Sequence, residues 1–209
     1  SSTSYVSNAD FIACHNQTYL TKYDIISELK PHGSFLLNCE WTESELEQHI
    51  PGDILKYIAE NDIKFYIIDA NKESQALGLG NRSNMVLQAA FFKLANVIPV
   101  EDAVEHMKAA VKKTYGLKGE KIVNMNIAAV DAGINSLVEV KVKPEWKNLS
   151  GAAIKPAADN QLYLLCLQRG LHRLPQPDVP DQVRHYLRAE APRPLSAELR
   201  VDGERVGAA

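Results

Sequence analysis

A loop with two glycines is the stretch whose residue types and spacing best suit the binding of an anion. This loop, Gly78–Asn84 with the letters GLGNRSN, leads directly into an apolar segment that begins at Met85. Glycines free the backbone, and the N–H groups at the start of a following helix favour a negatively charged ligand. Arg82 is the single arginine among the first 150 residues, and its planar guanidinium suits phosphate or carboxylate better than a lysine does.

The loop allows two interpretations, which the residues alone leave open. In the first, Gly80, Asn81, Arg82 and Asn84 bind a cofactor; in the second, the loop is a structural turn with a helix cap. The spacing is not the dinucleotide fingerprint G-x-G-x-x-G, and the loop follows a helix-like segment, Asn71–Leu77, rather than a strand. The missing fingerprint also argues against an independent NAD-dependent enzyme.

A second set of reactive side chains lies at the predicted carboxyl ends of the first two strands, namely Cys14, His15 and Cys39. In open parallel sheets ligands bind beyond the carboxyl ends of the strands, at the switch in strand order, so these residues are candidates for a thiol nucleophile or a metal site. No third and fourth ligand stands at suitable spacing, and a buried cysteine is ordinarily a small, inert apolar side chain. We therefore expect no catalytic residue and no metal ligand in this chain.

The composition excludes several classes of protein. With 209 residues, 45% of them hydrophobic, the chain can bury one core plus an appendage. A net charge of -3 argues against a nucleic-acid partner, and no apolar run approaches the roughly 20 residues that cross a membrane. The N-terminus lacks the pattern of a signal peptide. The three cysteines are odd in number and form no C-x-x-C pair, which predicts reduced thiols in a cytoplasmic protein.

The basic residues change from lysine to arginine near residue 150. Before this point stand fourteen lysines and Arg82, and after it stand Lys155 and seven arginines. Six of the ten prolines also follow it, and the sequence there shows no sustained period of two or 3.6. We therefore divide the chain into a patterned domain, residues 1–148, and a tail, residues 149–209. The tail is expected to be irregular, and to be either the product of a frameshift or a natural proline- and arginine-rich extension.

Alternating apolar and amphipathic segments predict an α/β fold in the first part of the chain. Three short apolar runs, interpreted as buried strands, are Asp10–His15, Ser34–Trp41 and Ile63–Ala70. A helix is predicted between the first two, over residues 17–33, and short helices after Thr42 precede the third. This alternation predicts right-handed crossovers and a parallel, Rossmann-like, doubly wound sheet.

Helices alone follow the third strand. Residues 85–98 carry a single charge, Lys93, and are apolar on every side, so this helix must be buried by the domain itself or by a partner. Two amphipathic helices are predicted next, over residues 99–116 and 118–137. The alternating segment Val138–Lys143 is either an edge strand or an extended linker.

Long stretches of the sequence resemble the gamma-type domain of pyruvate:ferredoxin (flavodoxin) oxidoreductases. The resemblance runs from Ala9 to about Trp146. The stretches that carry it are ADFIACHNQTYLTKYDII, GSFLLNCEW, YIAENDIKFYIIDA and GLGNRSNMVLQAAFFKLANVIPVEDAVEHMKAAVKKTYGLKGEKIVNMNIAAVDAGINSLVEV. Enzymes of this family are large homodimers that oxidatively decarboxylate pyruvate with thiamine diphosphate. They pass electrons through [4Fe–4S] clusters to ferredoxin or flavodoxin and form acetyl-coenzyme A.

The resemblance implies a supporting role for this domain. It implies an α/β, Rossmann-like sheet that helps to bind coenzyme A and to assemble with the other domains of the parent oxidoreductase. Gly80, Asn81, Arg82 and Asn84 are expected to lie against coenzyme A or against the neighbouring thiamine domain. Thiamine diphosphate and the [4Fe–4S] clusters are expected elsewhere in the parent enzyme, so the isolated chain is expected to be inactive.

The chain also departs from the family. It begins after the glycine-rich first strand, turn and helix of the family domain, so we expect a sheet truncated at its first strand, with an unpaired apolar edge. The thiamine-binding region and the cluster cysteine motifs are missing, and nothing beyond about Asn160 resembles the family. These departures predict an internal fragment. The alternatives are a non-catalytic α/β interaction module, with the helix over residues 85–98 as its assembly surface, or an inactive truncated product.

Overall fold

Three apolar runs form the parallel part of a four-stranded sheet in the computed structural model, which describes residues 8–22, 24–95 and 98–149. The strands are β1 (Ala9–Cys14), β2 (Leu29–Asn38), β3 (Lys64–Ile68) and β4 (Val138–Val140). They lie side by side in the order β1-β2-β3-β4, with β1, β2 and β3 parallel and β4 antiparallel to β3. The sheet is therefore mixed, and the alternating segment after residue 137 provides its short antiparallel edge strand.

One face of the sheet is covered by the segments that connect the parallel strands. A 3₁₀ turn, Gln17–Thr21, lies between β1 and β2, and the helices α1 (Leu46–His49) and α2 (Gly52–Glu60) lie between β2 and β3. Together with the strands these segments form one hydrophobic cluster. Its buried members include Ile12, Leu37 and Phe65 from the strands, Leu20 and Ile26 from the first connection, and Ile54, Leu55 and Ile58 from α2.

The opposite face is covered by four helices. These are α3 (Ala70–Ala76), α4 (Asn84–Ala95), α5 (Val100–Tyr115) and α6 (Glu120–Asn135). The strand residues that face them are the immediate neighbours of those that face α2, because successive side chains of a strand point to opposite sides. The cluster on this face includes Phe11, Leu36 and Ile68 of the strands, Ala89, Phe91 and Phe92 of α4, Met107 of α5, and Ala129 and Val130 of α6.

The predicted α/β fold is confirmed, with one local error. The helix predicted over residues 17–33 was wrong, because only the 3₁₀ turn at Gln17–Thr21 forms and β2 already begins at Leu29. Asp24 provides a physical reason. Its Oδ1 accepts hydrogen bonds from the backbone N–H groups of Ile26, at 3.3 Å, and Ser27, at 3.1 Å, so the side chain holds a turn in place of a helix.

The apolar helix α4 is buried within the chain. It packs against β1, β2, α3, α5 and α6. Its approach to α6 is close because Gly133 of α6 has no side chain: a Cβ there would lie 2.2 Å from the carbonyl oxygen of Val86 and 2.8 Å from Cβ of Ala89. Of the two predicted ways to bury this helix, burial by the domain itself is the one that the structure shows.

The predicted tail cannot be compared with the structure. Residues 150–209 lie outside the described part of the chain, so its division from the domain at residues 148 and 149 stays a prediction.

Candidate functional site

The glycine loop forms a tight exposed turn between α3 and α4. Gly78 and Gly80 have φ angles of 75° and 59°, in the left-handed region that glycine adopts without strain. Backbone hydrogen bonds close the turn, from the N–H of Leu79 to the carbonyl of Ser74 at 2.8 Å and from the N–H of Arg82 to the carbonyl of Leu79 at 3.3 Å. Leu79 is buried and anchors the loop to the helical layer. The loop is thus held by its backbone and by one apolar side chain.

The polar side chains of the loop are not used in holding it. Gly80, Asn81, Arg82 and Asn84 are all exposed. Within the described ranges, the side chains of Asn81, Arg82 and Asn84 make no hydrogen bond or ion pair with the protein. No atom lies within 4 Å of where a Cβ on Gly80 would stand, so a ligand can approach the backbone there. The structure therefore places the four predicted residues together on one accessible surface, and the choice between a ligand site and a plain turn stays a prediction.

The carboxyl ends of the strands form a separate region, organised by a buried amide. Asn38, at the end of β2, is 7% exposed. Its Nδ2 donates to the carbonyl of His15 at 3.0 Å, and its Oδ1 accepts from the N–H of Ala70 at 3.0 Å. Asp69 Oδ1 accepts from the N–H of Lys72 at 2.9 Å. The side chains of the protein itself thus occupy two N–H groups at the start of α3.

Among the described strands, this edge of the sheet lacks the switch in strand order at which a ligand-binding crevice was expected. Such crevices form where the strand order reverses, but the order of the four described strands runs from β1 to β4 without a reversal. The loop Gly78–Asn84 lies at the far end of α3, a helix of seven residues, or about 10 Å at 1.5 Å per residue. The structure therefore does not bring the loop together with Cys14, His15 and Cys39.

The two described cysteines, Cys14 and Cys39, are buried thiols. Cys14 Sγ donates to the carbonyl of Asn16 at 3.2 Å. Burial raises the pKa of the Cys39 thiol to about 11; a hydrogen bond to the carbonyl of Trp41 acts against this, and the charges of Asp69 and Glu40 add to it. At neutral pH the Cys39 thiol is therefore protonated, and the protonated form is a poor nucleophile.

Asn38 is the residue of this region that the sequence analysis missed. The available signal was a polar amide at the end of an apolar run, in the stretch FLLNCEW. A buried amide must find partners for both its donor and its acceptor, so such a residue indicates a junction of backbone segments.

No group of three or more histidine, cysteine, aspartate or glutamate side chains stands close enough to hold a metal ion in the described part of the chain. Among the same residues, none of the helices combines the length and the apolar character needed to span a bilayer.

Comparison with known proteins identifies the family. The sequence model of a family described as pyruvate ferredoxin/flavodoxin oxidoreductase matches residues 1–136. The chain belongs to this family. The resemblance to its gamma-type domain, drawn from the stretches between Ala9 and Trp146, is thereby confirmed.

Two relatives in the family are much longer than this chain. The pyruvate-flavodoxin oxidoreductase of Enterobacter agglomerans is 49% identical over 151 residues, which are 72% of this chain and 13% of that protein. The pyruvate:ferredoxin oxidoreductase of Moorella thermoacetica is 41% identical over 175 residues, 84% of this chain and 15% of that protein. A match that covers this share of 209 residues extends past residue 160, so the expectation that nothing beyond about Asn160 resembles the family is wrong.

A solved structure of a pyruvate oxidoreductase subunit shares the fold. Subunit PORC from Thermotoga maritima has a TM-score of 0.51 and 15% sequence identity, and the similarity covers 65% of this chain and 67% of that one. At this low identity the likeness supports the α/β fold and says nothing about individual site residues.

Proposed function

We propose that this chain is a coenzyme A-binding domain of a pyruvate:ferredoxin (flavodoxin) oxidoreductase, an enzyme that oxidatively decarboxylates pyruvate to acetyl-coenzyme A. Membership of the family supports the reaction, and the two relatives are named for it. The observation that supports coenzyme A at this domain is the exposed loop with Gly80, Asn81, Arg82 and Asn84. Its polar side chains have no partner within the described residues, and its backbone is accessible.

The chemistry of the loop fits a ligand that carries phosphate. A guanidinium can donate two parallel hydrogen bonds to a phosphate group, and the amides of Asn81 and Asn84 can donate further ones. Asn84 is the first residue of α4, a helix of twelve residues, so N–H groups of its first turn add a favourable field for a negative charge. A ligand bound here would gain contacts without breaking any side-chain hydrogen bond of the described structure.

The redox chemistry belongs, in our proposal, to other parts of the parent polypeptide. The described residues do not fit an iron–sulfur cluster, which usually takes four cysteine ligands, because they include two cysteines, both buried: Cys14 at the end of β1 and Cys39 just after β2. We accordingly place thiamine diphosphate and the [4Fe–4S] clusters in neighbouring domains. Ferredoxin or flavodoxin would accept the electrons of a homodimeric, cytoplasmic enzyme, and this domain would bind neither nucleic acid nor membrane.

Replacing Arg82 with alanine in the full-length enzyme is expected to raise the KM for coenzyme A about tenfold, because one charged contact to phosphate is lost. The KM for pyruvate should stay unchanged, since pyruvate is not expected at the loop. Steady-state kinetics with each substrate varied in turn measures both constants. An unchanged KM for coenzyme A together with an unchanged turnover would refute the assignment of Arg82.

The purified 209-residue chain is expected to show no pyruvate-dependent reduction of a redox dye, because we place the thiamine and cluster sites in other domains. Full-length enzyme in the same assay is the positive control. Detectable dye reduction by the isolated chain would show that the proposed division of labour is wrong.

The alternatives are a non-catalytic interaction module and an inactive truncated product. The main support for the interaction module was the apolar helix α4 as an assembly surface, but this helix packs against β1, β2 and the other helices of its own layer. Calorimetry with coenzyme A separates the two functions, since a pure scaffold gives no heat of binding.

A further inference from the structure

Helix α6 begins beside the glycine loop. A Cβ on Gly78 would lie 3.2 Å from Cε of Met125, so the loop contacts the side chain of this α6 residue. Side chains on a helix lean toward its N-terminus, which means that a long side chain covers the turn before its own Cα. The part of α6 nearest to the loop is therefore the turn between residues 121 and 125.

Lys121 occupies this turn on the same side of the helix as Met125. The two residues are four positions apart, and such residues are neighbours on a helix surface, with Cβ atoms about 5–6 Å apart. Lys121 is exposed, whereas Met125 is half-buried against the helical layer. Lys121 is thus an exposed residue one helical turn before the side chain that the loop contacts.

Lys121 differs from the other lysine near this helix end in having no partner. Lys118 Nζ lies over the ring of Tyr115, 5.4 Å from its centroid. Lys121, by contrast, makes no hydrogen bond, ion pair or ring contact within the described part of the chain, as is also the case for Arg82. The loop and α6, which contact each other through Gly78 and Met125, therefore each carry an exposed cation that makes no ion pair within the described residues.

We infer that Lys121 is a second cation of the loop site, so that the site takes a ligand with more than one phosphate group. This inference rests on the proposed binding of coenzyme A at the loop. Arg82 reaches the ligand from the loop, whose turn is closed by a hydrogen bond from the N–H of Arg82 to the carbonyl of Leu79 at 3.3 Å. Lys121 reaches the ligand from the neighbouring helix, α6. Two cations on separate elements can each bind a different phosphate group, and coenzyme A offers a pyrophosphate and a separate phosphate on its ribose. The pantetheine part of the molecule has no charge for Lys121 to bind.

The test measures the Kd of the full 209-residue chain for coenzyme A and for pantetheine by calorimetry. Lys121→Gln is expected to weaken coenzyme A binding about 5- to 10-fold, because a charged contact is replaced by a neutral one, and to leave pantetheine binding unchanged. The salt dependence of coenzyme A binding should also become shallower. Lys56→Gln is the matched control. It removes the same charge from α2, on the other face of the sheet, and should change neither Kd.

The outcomes separate this inference from the proposed function. If Arg82→Gln weakens coenzyme A binding but Lys121→Gln does not, the loop site stands and the second cation is wrong. If Lys121→Gln weakens binding and Arg82→Gln does not, the second cation stands and the role of Arg82 is wrong. Equal losses in Lys121→Gln and Lys56→Gln would show a general charge effect and refute the inference. If the wild-type chain binds no coenzyme A, both proposals fail.

Discussion

Gly133→Ala is expected to lower the free energy of unfolding by about 3 kcal/mol. The added methyl group would stand 2.2 Å from the carbonyl oxygen of Val86 and 2.8 Å from Cβ of Ala89. Neither neighbour can turn away, because the first is backbone within a helix and the second has no rotatable side chain. Helices α4 and α6 must therefore move apart, and the apolar contacts between them are lost over several residues.

Urea unfolding followed by circular dichroism measures this loss, and Gly116→Ala is the control. Gly116 has a helical backbone conformation, and no atom lies within 4 Å of where its Cβ would stand. Alanine at this position should be neutral or slightly stabilising, since it only restricts the unfolded chain. Equal unfolding midpoints for Gly133→Ala and the wild type would mean that α4 and α6 do not pack as closely as the structure shows.

The same substitution links packing to the candidate site. The loop lies between its contact with Met125 of α6 and the first residue of α4, Asn84. Separating the two helices would therefore shift Arg82 relative to Lys121. Weaker coenzyme A binding in a still folded Gly133→Ala variant is the expected functional consequence of this shift.

The strands could be predicted from the sequence because both faces of the sheet are buried. Adjacent residues such as Leu36 and Leu37 pack into opposite clusters, so a parallel strand appears as a continuous apolar run. Residues 17–33 were mispredicted because Tyr19, Ile26 and Leu29 have the spacing of a helix. These residues lie instead in the 3₁₀ turn, in the turn at Asp24 and at the start of β2. Local hydrogen bonds such as those to Asp24 favour the turn over a helix.

The candidate site could be predicted only where its residues are contiguous. Gly80, Asn81, Arg82 and Asn84 fall in one loop whatever the fold, so residue types alone identified them. Lys121, which we infer to be a second cation of this site, lies on α6, and the inference depends on the contact between Gly78 and Met125, for which the sequence has no signal. The partners of Asn38, His15 after β1 and Ala70 at the start of α3, could not be predicted from the sequence either, because their proximity depends on strand order.

Trp146→Ala is the second substitution with a large expected effect, a loss of about 4 kcal/mol in the free energy of unfolding. Trp146 is 2% exposed and packs beside α2 in the cluster on the connecting-segment face. Its Nε1 donates to Glu47 Oε1 at 2.6 Å, and Lys143 Nζ donates to the same oxygen. Both hydrogen bonds hold the pKa of Glu47 below its usual range, and the one from Lys143 has the larger effect.

Two control variants separate packing from the hydrogen bond. Trp146→Phe keeps most of the buried area and removes the N–H donor, so it should retain most of the stability. Trp41→Ala removes the other tryptophan, which is half-exposed and stacks on His49, and should cost clearly less than Trp146→Ala.

The stability of the folded chain also depends on pH through Glu47. Because the pKa of Glu47 is lowered in the folded chain, the contribution of its carboxylate to stability is present at neutral pH and is lost as the pH falls through that lowered pKa.

The Trp146 series also tests where the folded domain ends. The match to the family model stops at residue 136, yet Trp146 belongs to a core cluster whose other members include residues of β1, β2, α2 and β3. If residues 137–149 belong to the same folding unit, Trp146→Ala must shift the single unfolding transition of the whole domain. If that transition is unchanged and only tryptophan fluorescence alters, the segment docks after the domain has folded. In that case the predicted boundary at residues 148 and 149 lies too far along the chain.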